Sequence, residues 1–157
     1  MASLPRIRFS NSLVLRAALV LAAGVASGLA NGAEFRSISE AAVMYDAPAV
    51  RGKKLFVAPR GMPVEVVIAN EGWMRVRDKA GDLAWVERKF LSDKRTVVAN
   101  PATLAVRERA DDAAKPVVTV AQDVVLDLLE GPASGWVKVR HGNGATGFVR
   151  VGQVWGL

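Results

Sequence analysis

Short runs in which apolar and polar residues alternate make up most of the chain after residue 33. Pro-Val-Glu-Val-Val (63–67) and Trp-Met-Arg-Val-Arg (73–77) show the pattern, and the first is rich in valine. Alternation with a period of two is typical of strands that bury one face. Clusters of Gly, Asn and Asp, such as Asn-Glu-Gly (70–72), separate the runs and favour tight turns. The pattern predicts an all-β protein built from short strands.

One pair of strands occurs twice. Residues 72–86 read GWMRVRDKAGDLAWV and residues 135–149 read GWVKVRHGNGATGFV, so the tryptophans at their starts stand 63 residues apart. Earlier segments match as well, and Ala-Ala-Val-Met-Tyr-Asp (41–46) is aligned with Ala-Thr-Leu-Ala-Val-Arg (102–107) at a separation of 61 residues. This alignment sets Val106 against Tyr45. A fixed internal period indicates a duplicated unit.

The duplication sets the predicted domains. We expect one copy at residues 35–94 and a second at 95–157, joined at Ser-Asp-Lys-Arg (92–95). Several short strands within about 60 residues favour a small closed barrel, which also removes exposed sheet edges. The chain has no cysteine, so no disulfide supports either copy. Because barrels of this size are near the lower limit for folding alone, we expect the two copies to pack together.

Residues 1–33 resemble a secretory signal peptide. Arg6, Arg8 and Arg16 precede an apolar, alanine-rich run, and no acid is present. We predict a signal helix that is cleaved after Gly32 or Ala33. The alternative is a retained membrane anchor, although the run is shorter than the ~20 apolar residues that span a bilayer. The absence of cysteine excludes a lipid-modified cysteine anchor. We therefore expect a periplasmic or secreted protein without stable membrane insertion.

The charge of the predicted mature chain is modest. Loss of the three leader arginines leaves 18 of the 21 Lys+Arg residues against 15 Asp+Glu, a net charge of +3 instead of +6. Nucleic-acid binding requires a concentrated basic face. Together with export, the small charge argues against a nucleic-acid partner.

The residue inventory does not favour catalysis. His141 is the single histidine and lies in a Gly-Asn turn, where we expect a solvated side chain. Acid–base catalysis and nucleophilic catalysis each need a second positioned group beside the reacting one, and the sequence offers none. Metal binding lacks a His/Cys ligand cluster. We predict a non-enzyme with no catalytic residue, no metal and no cofactor.

The turn between the repeated strands predicts a register. A two-residue tip at 79–80 pairs Val76 with Leu83 and Met74 with Trp85 on the core side. Trp85 and its counterpart Phe148 are then core residues, while Trp73 and Trp136 lie outside among basic residues. A slip of one residue would reverse the faces.

The motifs resemble a family. The order Val-Met-Tyr-Asp-Ala-Pro, Pro-Val-Glu-Val-Val, Gly-Trp-Met-Arg-Val-Arg and Ala-Trp-Val, followed by Phe-Leu-Ser, is similar to a bacterial SH3-like domain, and the second copy is similar to another. The resemblance implies two tandem SH3-like β-barrels after the signal helix. Exported proteins of this kind are usually envelope modules that bind cell-wall or protein partners.

The resemblance also implies a binding groove. In eukaryotic relatives, a tyrosine of an Ala-Leu-Tyr-Asp segment and the first tryptophan after it in the barrel line a groove for Pro-rich helices. Tyr45 and Trp73 occupy those places. The loop that is often acidic in relatives is basic here, with Arg51, Lys53 and Lys54, so the sequence favours an anionic partner over a basic Pro-rich peptide.

The candidate ligand-binding residues share aromatic or cationic side chains. In the first copy they are Tyr45, Trp73, Arg75, Arg77, Arg51, Lys53 and Lys54; in the second they are Trp136, Lys138 and Arg140. A structural role for the aromatic pair is the competing interpretation, with Trp73 capping the barrel and Tyr45 filling a gap. The first copy holds the better groove, and the second serves mainly as a packing partner.

Two functions remain. The first is a non-catalytic envelope module that recognises peptidoglycan, whose stem peptides carry carboxylates, or another anionic envelope polymer. The second is an interaction or scaffold protein that docks on an envelope protein, with strand addition at a barrel edge as one mode of docking. In either case Trp155 and Leu157 are expected to plug the second barrel or the seam between barrels.

Overall fold

The computed structural model describes residues 32–157, which form two seven-stranded antiparallel sheets. The first sheet has the strand order β3-β2-β6-β5-β4-β1-β7. Its strands are β1 (Glu34–Ile38), β2 (Ala42–Tyr45), β3 (Lys54–Ala58), β4 (Pro63–Asn70), β5 (Trp73–Arg77), β6 (Leu83–Glu87) and β7 (Leu91–Ser92), with a 3₁₀ turn at Arg88–Phe90. The predicted signal peptide, apart from Gly32 and Ala33, lies outside the described residues.

The second sheet repeats the first. Its order, β10-β9-β13-β12-β11-β8-β14, is the same order of equivalent strands. These strands are β8 (Thr96–Ala99), β9 (Thr103–Arg107), β10 (Pro116–Ala121), β11 (Val125–Ala133), β12 (Trp136–Arg140), β13 (Thr146–Arg150) and β14 (Val154–Trp155), with a 3₁₀ turn at Val151–Gln153. The all-β fold and the tandem arrangement are therefore confirmed.

Each sheet encloses its own apolar core. The first core gathers Ile38, Met44, Val64, Val76 and Val86, all 1% exposed or less. The second core is built from Val97, Leu104, Val106, Leu126, Val137, Val139 and Val149, also buried to this extent. Alternate residues of the central strands point into these cores, as the sequence pattern predicts. Burial of apolar surface is therefore the main stabilising interaction of each half.

The predicted hairpin register is wrong by one residue. In β5 and β6, Val76 is paired with Ala84 and Arg75 with Trp85. The loop has three residues at its tip, because the Gly81 amide donates to Asp78 and the Asp78 amide donates to Asp82, with Gly81 at φ 94°. A three-residue loop with a left-handed glycine shifts the register relative to a two-residue tip.

This shift corrects two predicted core residues. Trp85 and Phe148 are only half-buried and lie on the outer faces of their sheets, opposite Arg75 and Lys138. Small Ala84 and Gly147 occupy the adjacent buried positions instead. The hairpin of the second copy has the same three-residue tip, with Gly144 at φ 92°.

The internal alignment needs a second correction. Tyr45 is paired with Trp85 in the first sheet, and Arg107 is paired with Phe148 in the second. The residue equivalent to Tyr45 is therefore Arg107 and not Val106, at a separation of 62 residues. Val106 is equivalent to the buried Met44.

The two halves pack along a seam. The Thr96 hydroxyl donates to the Gly61 carbonyl at 2.7 Å, and the Lys79 ammonium reaches Asp123 at 2.6 Å. The ring of Trp155 meets that of Phe35 edge-on, with 5.1 Å between the centroids. Trp155 therefore lies at the seam, whereas Leu157 packs against the second core. From the sequence, the second barrel and the seam are alternatives for both residues, and each residue takes a different one.

The junction between the sheets is short. β7 ends at Ser92 and β8 begins at Thr96, which leaves three residues between them. The Ser37 hydroxyl donates to the Lys94 carbonyl at 2.7 Å, and Arg95 donates to the Gly156 carbonyl at 2.9 Å. Both barrels therefore hold the junction. Within residues 32–157 no helix is long and apolar enough to cross a membrane.

Candidate ligand-binding face of the first barrel

A row of paired residues crosses five strands of the first sheet on its outer side. Ile68, Arg75, Trp85, Tyr45 and Lys54 are successive partners from β4 through β5, β6 and β2 to β3. Paired residues of antiparallel strands point to the same face. The register therefore brings Tyr45, Arg75 and Lys54 of the predicted set together, and adds Trp85.

The centre of this row is aromatic. The Tyr45 and Trp73 rings meet edge-on, with centroids 5.5 Å apart and an angle of 84°. Tyr45 is 8% exposed, so most of its ring is covered, while Trp73 and Trp85 are each half-buried. An edge-to-face pair of this kind holds both rings in fixed positions. We call Tyr45, Trp73, Trp85 and Arg75 the aromatic face.

Several cations around the aromatic face have no ion-pair partner among the described residues. Arg75 lies within the face, and Arg51, Lys53 and Lys54 are exposed in and after the β2–β3 turn. Arg77 differs, because its guanidinium contacts Glu65 at 2.8 Å. Arg77 therefore differs from the other candidate cations of the first barrel, because it already has an ion-pair partner.

Acidic groups also border the face. Glu87 is paired with Trp73 across β5 and β6, and it contacts Lys89 at 2.8 Å. Asp46 follows Tyr45 and accepts a hydrogen bond from the Lys53 amide at 2.8 Å, which fixes the start of the β2–β3 turn. The carboxylate of Asp46 therefore organises the loop that displays the basic residues.

The equivalent face of the second barrel is closed. Trp136 is 6% exposed, and the Arg150 guanidinium lies 4.2 Å from the centre of its ring. Asp112 accepts hydrogen bonds from Arg150 and holds it in place. Trp136 shares the outer face of β12 with Lys138 and Arg140, as the sequence predicts, but it is not accessible there, because its cross-strand partner is a long arginine that folds over the ring. We call Trp136, Arg150 and Asp112 the Trp136 stack.

Electrostatics reinforce the Trp136 stack. The hydrogen bond from Arg150 holds the pKa of Asp112 below its ordinary value, and the same bond raises the pKa of Arg150. Both groups therefore stay charged over the physiological range. Glu87 occupies the place of Arg150 in the first barrel and Val50 that of Asp112, so the first barrel cannot form the same stack.

The other second-copy candidates are also paired. Lys138 contacts Glu130 at 2.9 Å and lies over Phe148, and Arg140 contacts Asp127 at 2.9 Å. Arg107, in the place of Tyr45, donates to the Ala114 carbonyl at 2.7 Å. The outer face of the second barrel therefore has fewer cations without a partner than the aromatic face of the first barrel has around it.

A separate cavity of about 230 Å³ lies at the seam. Its walls are mostly apolar and come from both barrels, with Pro63, Val125 and Trp155 among them. The charged groups at this cavity, Lys79 and Asp123, already contact each other. Because few free polar groups remain there to recognise a ligand, we place the candidate site on the aromatic face.

Two further features bear on chemistry. Among residues 32–157, no group of three or more His, Cys, Asp or Glu residues could hold a metal ion. His141 lies in the turn after β12, where its Nδ1 accepts a hydrogen bond from the Asn143 amide at 3.4 Å. No carboxylate of the described residues lies within ion-pair distance of this imidazole.

Comparison with protein-family models identifies both halves. The model described as the bacterial SH3 domain matches residues 39–93 and again residues 100–156. The chain belongs to the bacterial SH3 domain family. Each match covers one sheet of this bacterial SH3 protein apart from its first strand, β1 or β8, and the two matches confirm the resemblance inferred from the motifs.

Two longer solved chains are similar to this chain over part of their length. NlpC1 from Trichomonas vaginalis is 10% identical, with 83% of this chain and 48% of that chain covered and a TM-score of 0.38. An NlpC/P60 family protein from Bacillus cereus is 16% identical, with 77% and 55% covered and a TM-score of 0.36. The bacterial SH3 protein thus spans about half the length of these chains. No curated protein matches its sequence.

Sequence reasoning missed Trp85 as part of the outer face of this bacterial SH3 protein. Its signal was present in the Asp-Lys-Ala-Gly-Asp turn, because a glycine at the fourth position is typical of the three-residue tip that sets the true register. The Trp136 stack was also missed. It depends on Asp112, which is 38 residues from Arg150 and reaches it only through the fold.

Proposed function

We propose that this bacterial SH3 protein is an exported, non-catalytic binding module of the cell envelope, and that its first barrel recognises peptidoglycan or another anionic envelope polymer. The observation that carries the proposal is the aromatic face with its uncommitted cations. The family membership supports a binding role, and the predicted signal peptide supports a periplasmic or secreted location.

The aromatic part of the face suits a sugar or a peptide backbone. Trp73 and Trp85 are half-buried, so each is held by its neighbours while part of its ring remains accessible. A rigid aromatic surface binds with little loss of side-chain entropy. The edge contact between Tyr45 and Trp73 adds to this rigidity.

The charged part of the face suits carboxylates. Arg75 is directly opposite Trp85, and a guanidinium can bind a carboxylate through two parallel hydrogen bonds. Arg51, Lys53 and Lys54 would attract anionic ligands over a longer range. Peptidoglycan stem peptides combine carboxylates with sugars, which fits both parts of the face.

The proposal assigns binding to the first barrel. Trp136 is covered by Arg150, and the cations near it have acidic partners. The second barrel then contributes stability through the seam, where Thr96 and Trp155 contact the first barrel.

The test is co-sedimentation of the predicted mature protein, residues 34–157, with purified peptidoglycan sacculi at low and moderate salt. We expect binding that weakens as salt rises, because exposed charges are screened. Trp73→Ala should abolish most of it. Arg75→Glu should also reduce binding, at least about tenfold, since a bidentate contact becomes repulsive.

The matched control is Lys138→Glu, which makes the same charge change at the equivalent position of the second barrel. We expect it to leave binding unchanged. Circular dichroism and thermal unfolding establish that each variant is folded. Equal losses from Arg75→Glu and Lys138→Glu would contradict the assignment to the first barrel, and absence of binding by the unmodified protein would contradict a cell-wall ligand.

Docking on an envelope protein is the second candidate function. The observation that favours it is the exposed apolar strand β3, where Val57 is 62% exposed. A protein partner recovered in stoichiometric amounts by cross-linking, without binding to sacculi, would support this function over the first.

A further inference from the structure

Strand β3 lies at an open edge of the first sheet. It pairs with β2 alone and is the terminal strand in the sheet order. Leu55, Phe56 and Val57 are 43%, 38% and 62% exposed. Because successive residues of a strand point to opposite faces, β3 exposes apolar side chains on both faces as well as the polar groups of its free edge.

The charge around β3 has one sign. Residues 51–60 contain Arg51, Lys53, Lys54 and Arg60 and no acid. None of the four forms an ion pair with a described residue. Exposed lysines at a strand edge disfavour pairing with a like-charged strand. The same charges favour a strand that carries acids.

The equivalent strand of the second barrel, β10, differs in these features. It begins with Pro116, which has no amide hydrogen to donate, and it carries the polar Thr119 in the place of Val57. Asp111 and Asp112 lie in the turn before it. The edge of the second sheet is therefore less apolar and less basic than that of the first.

We propose that β3 is the docking strand for an extended segment of a partner protein in which apolar residues alternate and acidic residues flank them. The segment adds to the free edge of β3 as a further strand, so its main chain supplies the hydrogen bonds and its acids meet the basic residues at both ends of β3. This inference rests on the second candidate function and specifies its partner. The surface shares the cations Arg51, Lys53 and Lys54 with the surroundings of the aromatic face, but it does not include Tyr45, Trp73, Trp85 or Arg75.

Charge argues for a different protein rather than a second copy as the occupant. An antiparallel pair of β3 strands would bring Lys54 of one copy near residues 58–60 of the other, where Arg60 is the charged residue. Such a pair would gather cations from both copies without any acid. An acidic segment would instead neutralise them, and this complementarity decides between the two occupants.

The test uses the predicted mature protein, residues 34–157, labelled with ¹⁵N, and the acetylated peptide Asp-Glu-Val-Thr-Val-Thr-Glu-Asp. We expect amide shift changes concentrated in Lys54–Ala58. The affinity should fall at least about fivefold between low and moderate salt, since the flanking charges are exposed. A peptide with lysine in place of every acid should not bind.

The variant is Leu55→Glu, which places a negative charge on β3. We expect it to weaken peptide binding at least about tenfold through repulsion and loss of apolar contact. The matched control is Val117→Glu, because Val117 holds the equivalent position in β10 and is 44% exposed against 43% for Leu55. We expect the control to leave the affinity unchanged.

Several results would overturn the proposal. One is the absence of amide shift changes in β3, and another is binding of the lysine peptide. A third is an equal loss of affinity for the acidic peptide in Leu55→Glu and Val117→Glu. Sedimentation that shows dimers joined through β3 would make a second copy the occupant and would also overturn it. Sacculus binding by Trp73→Ala tests the aromatic face separately, because this substitution leaves β3 and its basic residues unchanged, so failure of one proposal is distinguishable from failure of the other.

Discussion

Asp127 joins two cations from different parts of the chain. Lys94 in the junction contacts it at 2.7 Å, and Arg140 at the end of β12 contacts it at 2.9 Å. Partial burial on its own raises the pKa of Asp127, but the hydrogen bonds from Lys94 and Arg140 outweigh burial and leave the pKa below its ordinary value. The ionised carboxylate therefore stabilises the fold at the junction.

The lowered pKa of Asp127 predicts a dependence of stability on pH. The stabilisation is complete above the unfolded-state pKa, about 3.9, and is lost as the pH falls through the lower folded-state value. We expect Asp127→Asn to reduce the free energy of unfolding near neutral pH and to differ progressively less from the unmodified protein below about pH 4.

Urea unfolding between acidic and neutral pH measures this difference. Asp82→Asn, at an exposed acid of the turn after β5, is the control and should change stability little at any of these pH values. A difference between Asp127→Asn and the unmodified protein that does not change with pH would contradict the electrostatic explanation.

At the scale of elements, the two copies differ most in what covers their tryptophans. The Trp136 stack involves β12, β13 and the loop before β10. In the first barrel the partner of Trp73 is Glu87, and Tyr45 contacts the ring at its edge instead. The tryptophan of the first barrel is accessible because its cross-strand partner is Glu87. The tryptophan of the second barrel is covered because its partner is Arg150, which Asp112 holds in place.

Removal of Arg150 should uncover Trp136. In Arg150→Ala we expect greater quenching of tryptophan fluorescence by acrylamide, because the guanidinium over the ring is lost. Arg140→Ala is the control, since Arg140 lies on the same strand as Trp136 and pairs with Asp127 instead of an aromatic ring. Equal quenching in Arg150→Ala and the unmodified protein would show that Arg150 does not shield the ring in solution.

The sequence predicts the elements better than their register. Alternation and turn residues identify the strands, and the repeat identifies the tandem barrels, because both signals are local or periodic. The register depends on whether the tip after Arg77 has two or three residues, and this small difference moves Trp85 from the core to the surface. The Trp136 stack joins residues that are distant in the sequence, so no local pattern contains it.

At the scale of the whole molecule, strand β14 belongs to the second barrel and also contacts the first. Val154 of β14 is 6% exposed and packs in the second core, while Trp155 contacts Phe35 of the first half. Gly156 has φ 113°, and a Cβ atom there would lie 2.8 Å from the Thr96 carbonyl oxygen. The close approach at the seam therefore needs glycine at this position.

Deletion of residues 154–157 should destabilise the entire protein. We expect a loss of at least about 3 kcal/mol, because a buried valine, the Phe35 contact and the pairing of β14 with β8 are all removed. Differential scanning calorimetry checks the prediction. Substitution of exposed Gln153 by Ala is the control, and an unchanged melting temperature after the deletion would contradict the role of the seam.

The covered tryptophan of the second barrel also bears on the valency expected under the proposed function. Under the proposed function, the one accessible aromatic face among residues 32–157 would give each copy of the protein one site on a polymer, so a single copy would not bridge two polymer strands. Occupancy would then rise hyperbolically with ligand concentration, without the avidity that two linked sites provide. The protein would coat such a polymer without cross-linking it.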